Sequence, residues 1–532
     1  MSNEISESQS PAQPPAAAAA GAGSEQPISE QPIEERVNNR SMRPNSEAFR
    51  EFMASSWAES DHSVTRAASA DYAAKRRAAL SAMFPGERLV LPAGPLKVRS
   101  NDTDYRFRPH SGFAHMTGLG TDQEPDAVLV MEPVEEGTGD DGSQHVSTLY
   151  FRPMAGRDSK EFYSNARTGE FWIGARHTLE TMATQTGLPT EHMDLKLEDA
   201  ITENAGHPAF GGLSVRVVRD VDPTVDALVD TSRINTGITD LEAEDKKDAK
   251  LTEALSELRL IKDEWEIEQM REAVAATASG FENIIANLAR AVDHKRGERV
   301  VETSFFARAR EEGNDLGYDT IAASGNNATT LHWIRNDGQV NSGELLLVDA
   351  GVEVDSLYTA DVTRTVPVDG TFTPVQRKIY EAVLDAADQA FAIVKPGITF
   401  RMIHDKAAAV LAEHLDAWGL LPVSAEEATK PSGQQHRRWM PHGVSHHLGL
   451  DVHDCAQARQ ELYQDGIVAE GMVFTIEPGL YFKAEDLAVP EEYRGIGVRI
   501  EDDILVTADG AESLTKDIPR TVDEVEAWLK RS

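Results

Sequence analysis

Four acidic side chains interrupt apolar, strand-like runs in the second half of this chain, and they constrain its folding more than any other feature. Asp349 ends the apolar run of ELLLVDAG, Asp361 stands in SLYTADVTRT, Glu477 closes MVFTIEPG just ahead of Pro478, and Glu501 lies between Ile500 and Ile504 in VRIEDDILV. An ionised carboxylate in an apolar strand loses its water, and it persists only when another group takes over the solvation. One such acid is ordinarily a satisfied polar residue. Four in one region call for a shared solution, such as cations held among them. The stretch PHGVSHHLGLDVHD, residues 441–454, adds His442, His446, His447 and His453. Pro441 and Gly443 disfavour a helix there, and HGVSH lacks the glutamate of an HExxH zinc helix, so a zincin site is discounted. Four carboxylates with one imidazole make a hard, oxygen-rich donor set that suits manganese, iron, cobalt or zinc. Two divalent ions balance four carboxylates, whereas one leaves buried negative charge. The balance favours a pair of ions, which can share a hydroxide.

The rest of the chain organises around this region. Residues 1–44 are rich in Ser, Pro, Ala, Glu and Gln, too poor in apolar surface to offset the entropy of ordering, and a disordered tail is expected. Residues 45–235 read as an α/β domain. Helical text in NSEAFREFMASSW and YAAKRRAALSAMF precedes strand-like ERLVLPAG, DAVLVMEP and STLYFRP, with more helix around 168–186. TDLEAEDKKDAK marks a charged connector over 236–254. Leu255, Leu258, Ile261 and Trp265 keep helical spacing at the start of a second domain, 255–525, where long helices at 374–394 and 399–418 mix with short strands. The expected class is α+β, and 532 residues suffice for two or three domains. A net charge of −37, from 89 acidic and 52 basic residues, disfavours nucleic-acid phosphates and anionic membranes as partners. The single cysteine, Cys455, excludes an intrachain disulfide framework. No apolar run nears the roughly 20 residues of a membrane helix, no signal-peptide pattern is present, and a cytoplasmic location is expected.

Taken together, Asp349 in VDAG, Asp361 in ADVTRT, His446 in HGVSHHLGLDVHD, Glu477 in TIEPGLY and Glu501 in VRIEDD resemble the metal ligands of the pita-bread metallopeptidases. That family includes Xaa-Pro aminopeptidases (aminopeptidase P), prolidases and methionine aminopeptidases. The stretch from Arg99 to Val130, RSNDTDYRFRPHSGFAHMTGLGTDQEPDAVLV, resembles the N-terminal domain of the Xaa-Pro aminopeptidases, a domain that methionine aminopeptidases generally lack. Within it, Ala114 and His115 stand where the resemblance has larger aromatic residues, in a region that can contribute to a neighbouring subunit's site.

The resemblance implies a C-terminal pita-bread catalytic domain of the creatinase/aminopeptidase type behind an α/β N-terminal domain. It implies two divalent ions, assigned as manganese. Asp349 would chelate one ion, Asp361 and Glu501 would bridge the two, and His446 and Glu477 would complete the other. His453 would face the substrate and steady a tetrahedral intermediate, His442 would line the site, and His332 in TTLHWIRND would bind substrate. Glu477 would also pass a proton to the leaving nitrogen. Tyr481 and Arg499 would support the ligands. A guanidinium two residues ahead of Glu501 is expected to orient that carboxylate and lower its pKa. His447 would point elsewhere. The implied activity is that of a metalloaminopeptidase cleaving between any N-terminal residue and a penultimate proline in peptides. A prolidase restricted to Xaa-Pro dipeptides is the alternative. A homo-oligomer, dimer or tetramer, is implied. A metal-free creatinase-like hydrolase and a non-catalytic binding module both conflict with the complete ligand set.

Overall fold

The computed structural model describes residues 46–58, 63–101, 103–134 and 143–531, so the tail expected over 1–44 lies outside the described residues. The chain divides into two compact units. The described residues of the smaller are 46–58, 98–101, 103–105 and 153–178. It holds a helix over Glu47–Ala54 and a short hairpin pairing Val98–Ser100 with Thr103–Asp104. Trp57, Phe162 and Phe171 meet edge to face, with ring centroids 5.4–6.2 Å apart. The helical stretches expected around 168–186 are two: Glu170–Ile173, ended by Gly174 at φ 84°, in the small unit and Leu179–Thr186 in the large one.

The large unit begins with helix α1, Ala70–Met83, and a mixed five-stranded sheet. Its strands are β1 (Glu87–Pro92), β2 (Val128–Pro133), β3 (His145–Phe151), β4 (Thr190–His192) and β5 (Ser214–Val217), in spatial order β4-β3-β2-β1-β5. Alternation along the strands separates two cores. Leu89, Leu91, Leu129, Met131 and Leu149 face one side, and Val90, Val128, Val130 and Val217 the other. Helix α2, Ser111–Thr117, is buried along its whole length. His115 there places Nε2 3.2 Å from Glu266 Oε1, and Ala114 packs with Leu357 and Tyr358. These two residues are therefore interior in this chain.

The charged connector expected over 236–254 is corrected by the structure. Leu241–Leu258 form one continuous helix, α3, with Asp240 as its N-cap. The acidic and basic residues mostly mark its solvent face, while Leu251, Ala254 and Leu255 on its other face enter the same core as Leu89 and Leu129. Asp248 is fully buried and pairs with Arg219 at 2.7 Å and Arg233 at 2.8 Å. Charge density alone concealed a one-sided apolar stripe. Helix α4, Glu264–Ala286, follows behind a capping box of Asp263 and Glu266.

Among the described residues four small antiparallel sheets follow, one of them the two-residue pairing of Asp315–Leu316 with Val352–Glu353. Strands β6 (Ile321–Ser324), β7 (Leu345–Ala350) and β8 (Val362–Pro367) form one sheet with β7 in the middle. Strand β9 (Val473–Ile476) pairs with β12 (Asp502–Val506), which pairs with β13 (Ala511–Ser513), and β10 (Gly479–Phe482) pairs with β11 (Ile496–Arg499). Helices α4, α5 (Gly297–Glu312), α6 (Pro374–Ala392) and α7 (Arg401–Ala417) cover them. Phe281, Phe305, Ile379 and Leu411 from these helices share one core with Leu346, Val348, Val362 and Ile476. Strands covered this way are apolar on both faces, which is why the acids at their ends stood out in the sequence.

Candidate metal centre

The strand ends bring the four acids to one place. Asp349 in β7 stands opposite Thr363 of β8, and Asp361 immediately precedes β8. Glu477 directly follows β9, and Glu501 links β11 to β12. The segment bearing His446 runs beside β9. Glu477 N donates to Val444 O at 2.8 Å and Thr475 N to His446 O at 2.9 Å, which sets His446 and Glu477 side by side. His446 Nε2 lies 3.3 Å from Asp361 Oδ2 and 3.7 Å from Glu477 Oε1, while its Nδ1 faces His447 O at 3.2 Å. A backbone carbonyl on Nδ1 selects the tautomer that leaves the Nε2 lone pair for a cation. Donor atoms of Asp361, His446 and Glu501 all lie within 4.8 Å of one another. This donor set fits divalent ions.

A cavity of about 500 Å³ opens over this cluster. It is lined by nine of the ten residues singled out in the sequence: His332, Asp349, Asp361, His442, His446, His453, Glu477, Arg499 and Glu501. Ile321, Leu331, Ile334 and Val452 add an apolar wall. Tyr481 does not line it. Its hydroxyl sits behind, 3.0 Å from Arg499 Nη1 and 2.9 Å from His442 Nε2. The His453 ring stands edge-on to that of His446 at 4.5 Å. His447 turns away and stacks on Phe400 at 4.6 Å.

Arg499 corrects one expectation. Its guanidinium pairs with Asp349 Oδ2 at 2.5 Å, and it reaches Glu501 only through Thr363, which accepts from Arg499 Nε at 3.0 Å and donates to Glu501 Oε2 at 2.6 Å. The charge of Arg499 still pulls the Glu501 carboxyl down, as expected, but burial and then the charges of Asp361, Glu477 and Asp349 outweigh it and hold that carboxyl well above the usual carboxylate range. Burial likewise raises Asp361, with Asp349 adding to the effect, and pushes Glu477 up to about 7. Burial works against the charged form of His446, but its hydrogen bond to Asp361 and the charge of Glu477 outweigh it and raise the ring to about 9. Burial and the charge of Arg499 push His442 down to about 4. Burial, and then His446, lower His453.

Two contacts in the cluster have no sequence signal. The Tyr318 hydroxyl touches Asp349 Oδ1 at 2.6 Å and also Asp361 Oδ1. Thr363 bridges Arg499 and Glu501 as described. Neither belongs to a recognisable pattern, because a tyrosine or threonine near a strand is common. The neighbours of Glu501 are used elsewhere: Asp502 pairs with Arg364 and Arg520, each at 2.7 Å, and Asp503 Oδ2 accepts from Asp361 N at 3.2 Å.

Residues 268–508 match the Metallopeptidase family M24, and residues 72–207 match the Aminopeptidase P N-terminal domain. Xaa-Pro aminopeptidase 1 of Streptomyces coelicolor is 48% identical over 502 residues, covering 94% of this chain and 95% of that protein. The Xaa-Pro aminopeptidase of Escherichia coli is 31% identical over 466 residues, 86% of this chain and 97% of its own. Among solved structures, the Pseudomonas aeruginosa aminopeptidase PepP superposes with a TM-score of 0.71 at 28% identity, covering 88% of this chain and 99% of that one. Zinc-substituted aminopeptidase P from Escherichia coli, in complex with product, also gives 0.71 at 28% identity, over 87% of this chain and 99% of its own. With its pita-bread half and its N-terminal domain both matched, this chain belongs to the Xaa-Pro aminopeptidases of metallopeptidase family M24.

Proposed function

We propose that this chain is a dinuclear metal-dependent aminopeptidase that releases the N-terminal residue of peptides whose second residue is proline. The observation that carries the reading is the convergence of Asp361, His446 and Glu501, with donor atoms within 4.8 Å of one another, beside Asp349 and Glu477 in a cavity of about 500 Å³. Asp349 would hold one ion, Asp361 and Glu501 both, and His446 and Glu477 the other, with manganese as our assignment. Divalent ions bound there bring the pKa of water toward neutrality and polarise a carbonyl.

The chain's own groups do the rest. His453 and His332 line the cavity and donate to substrate oxygen where negative charge develops. Glu477 carries a proton toward the leaving proline nitrogen. Arg499 holds Asp349, and Tyr481 holds His442 against the cavity wall. The acidic wall attracts a free amino terminus, so an N-acylated peptide should react poorly. The dipeptide-restricted prolidase reading is not favoured, since the relatives matched along the chain are aminopeptidases.

We also propose a cytoplasmic homo-oligomer, dimer or tetramer. Burial of the lone Cys455 suits a reducing compartment, and exposed Phe171, Trp172 and Ile173 offer apolar contact surface for a second copy. No helix among the described residues is long and apolar enough to cross a membrane.

The decisive experiment measures turnover of an Xaa-Pro dipeptide and an Xaa-Pro-Xaa tripeptide by Mn2+-supplemented wild type and Asp361→Asn. Wild type should cleave the tripeptide and the variant should be inactive. Equal rates for the two proteins would overturn the assignment.

A further inference from the structure

His332 sits exposed at the rim of the cavity, in the loop between β6 and β7. An exposed side chain on a loop is a poor tool unless something behind it fixes the backbone, because a small misplacement of a substrate-binding group is costly. Here one carboxylate gathers several parts of the loop from behind. Glu298, in the first turn of α5, is fully buried and accepts four hydrogen bonds. Ser324 N donates to Oε1 at 2.9 Å and Asn327 Nδ2 to Oε1 at 2.8 Å. Trp333 Nε1 donates to Oε2 at 2.8 Å and Gly338 N to Oε2 at 2.7 Å. The donors come from the start, the middle and the far part of the loop, and one of them is the residue next to His332.

Two further features show how closely the loop is fitted to this acid. A Cβ at position 338 would lie 2.7 Å from Glu298 Oε2, so the approach requires glycine. Glu298 N also donates back to Gly338 O at 3.2 Å. Asn336, buried at φ 46°, ties the same loop to β6 by accepting from Ala322 N at 3.0 Å and donating to Thr320 O at 2.8 Å. With the Trp333 indole drawn inward onto Glu298, its neighbour His332 is left on the cavity side.

We propose that Glu298 is the positioning residue for His332: it gathers Ser324, Asn327, Trp333 and Gly338 around one buried carboxylate and so places the imidazole at the rim without touching substrate. This inference rests on the reading of His332 as a substrate-binding group.

The test is a double-mutant cycle on the Mn2+-loaded full chain, with kcat and KM measured on an Xaa-Pro-Xaa tripeptide alongside melting temperature and bound metal. Glu298→Gln keeps the shape but replaces one acceptor with a donor. It should lower kcat/KM by about 10- to 100-fold with metal content unchanged. In a His332→Ala background the same substitution should cost little more, because the group it positions is gone. Trp333→Phe should act in the same direction, more weakly, and its cycle with His332→Ala decides the matter if Glu298→Gln fails to fold. Multiplying losses in the double variants would mean that Glu298 acts on the whole site, and the proposal falls. A wild-type Glu298→Gln enzyme would also overturn it. A harmless His332→Ala would remove the substrate reading of His332 and the proposal with it, whereas loss in His332→Ala alone would leave that reading standing without the positioning role.

Discussion

The guanidinium of Arg499 donates to Asp349 Oδ2 at 2.5 Å, and both residues are buried. The same planar cation donates to Tyr481 Oη and to Thr363 Oγ1, each at 3.0 Å, so one side chain orients Asp349 directly and Glu501 through a hydroxyl. An ammonium keeps the charge but not this three-way fork. Arg499→Lys is expected to fold normally and lose about 10- to 100-fold in kcat/KM, with poorer metal retention on dialysis. Unchanged kinetics in the lysine variant would show that charge alone suffices.

Tyr318 touches two acids with one hydroxyl. A hydroxyl carries one proton, so Tyr318 donates to only one of the two carboxylates at a time. Once cations occupy the cluster, Tyr318 should orient Asp349 or Asp361 as an outer partner. Tyr318→Phe is therefore expected to weaken metal affinity about tenfold at unchanged melting temperature of the loaded protein. Competitive titration against a chelating dye reads the first quantity, and an unaltered affinity contradicts the role.

Metal uptake should expel protons. In the absence of a cation, Glu477 is raised to about 7 and His446 to about 9, so protons remain bound in the cluster near neutral pH. Ligation requires the deprotonated forms. Calorimetric titration with Mn2+ at pH 7, repeated in buffers of different ionisation enthalpy, should show net proton release. A binding enthalpy independent of buffer would refute it. Excess metal at about 100 times its Kd should stabilise the fold by about 2.7 kcal/mol, lost on chelation.

A stability test lies away from the site. Glu266 is buried, which opposes its charge, yet His115 at 3.2 Å, then Arg76 at 3.5 Å and the Tyr358 hydroxyl at 2.6 Å hold its carboxyl below the usual range. A depressed carboxylate contributes stability that is complete above its unfolded pKa of about 4.3 and fades as pH falls through the folded value. Glu266→Gln should cost about 3 kcal/mol at pH 7, and the gap to wild type should narrow below about pH 4. Urea melts at both pH values check this; a gap that widens in acid has the wrong sign.

Much of the candidate site was legible before any coordinates. Asp349, Asp361, Glu477 and Glu501 stand out because buried acids in apolar strands are costly, and His446 through the resemblance of HGVSHHLGLDVHD to the ligand motif of the pita-bread metallopeptidases. Tyr318, Thr363 and Glu298 were not legible. Each matters through a partner brought close by strand pairing or by a loop's return, and nothing adjacent in sequence marks it. Helix α3 reads in sequence as a charged connector because lysines and acids on its outer face mask the apolar stripe of Leu251, Ala254 and Leu255.

The sequence alone determined the donor chemistry of this protein and its order along the chain, since a side chain's charge, hardness and aversion to an apolar strand are local properties. The tertiary structure alone decided which partner each donor received: that Arg499 takes Asp349 and not Glu501, that Tyr318 stands between Asp349 and Asp361, and that Glu298 gathers the loop of His332. Those choices follow from which strands pair and in what register, and a hydrogen bond is formed only at the few ångströms that such pairing sets.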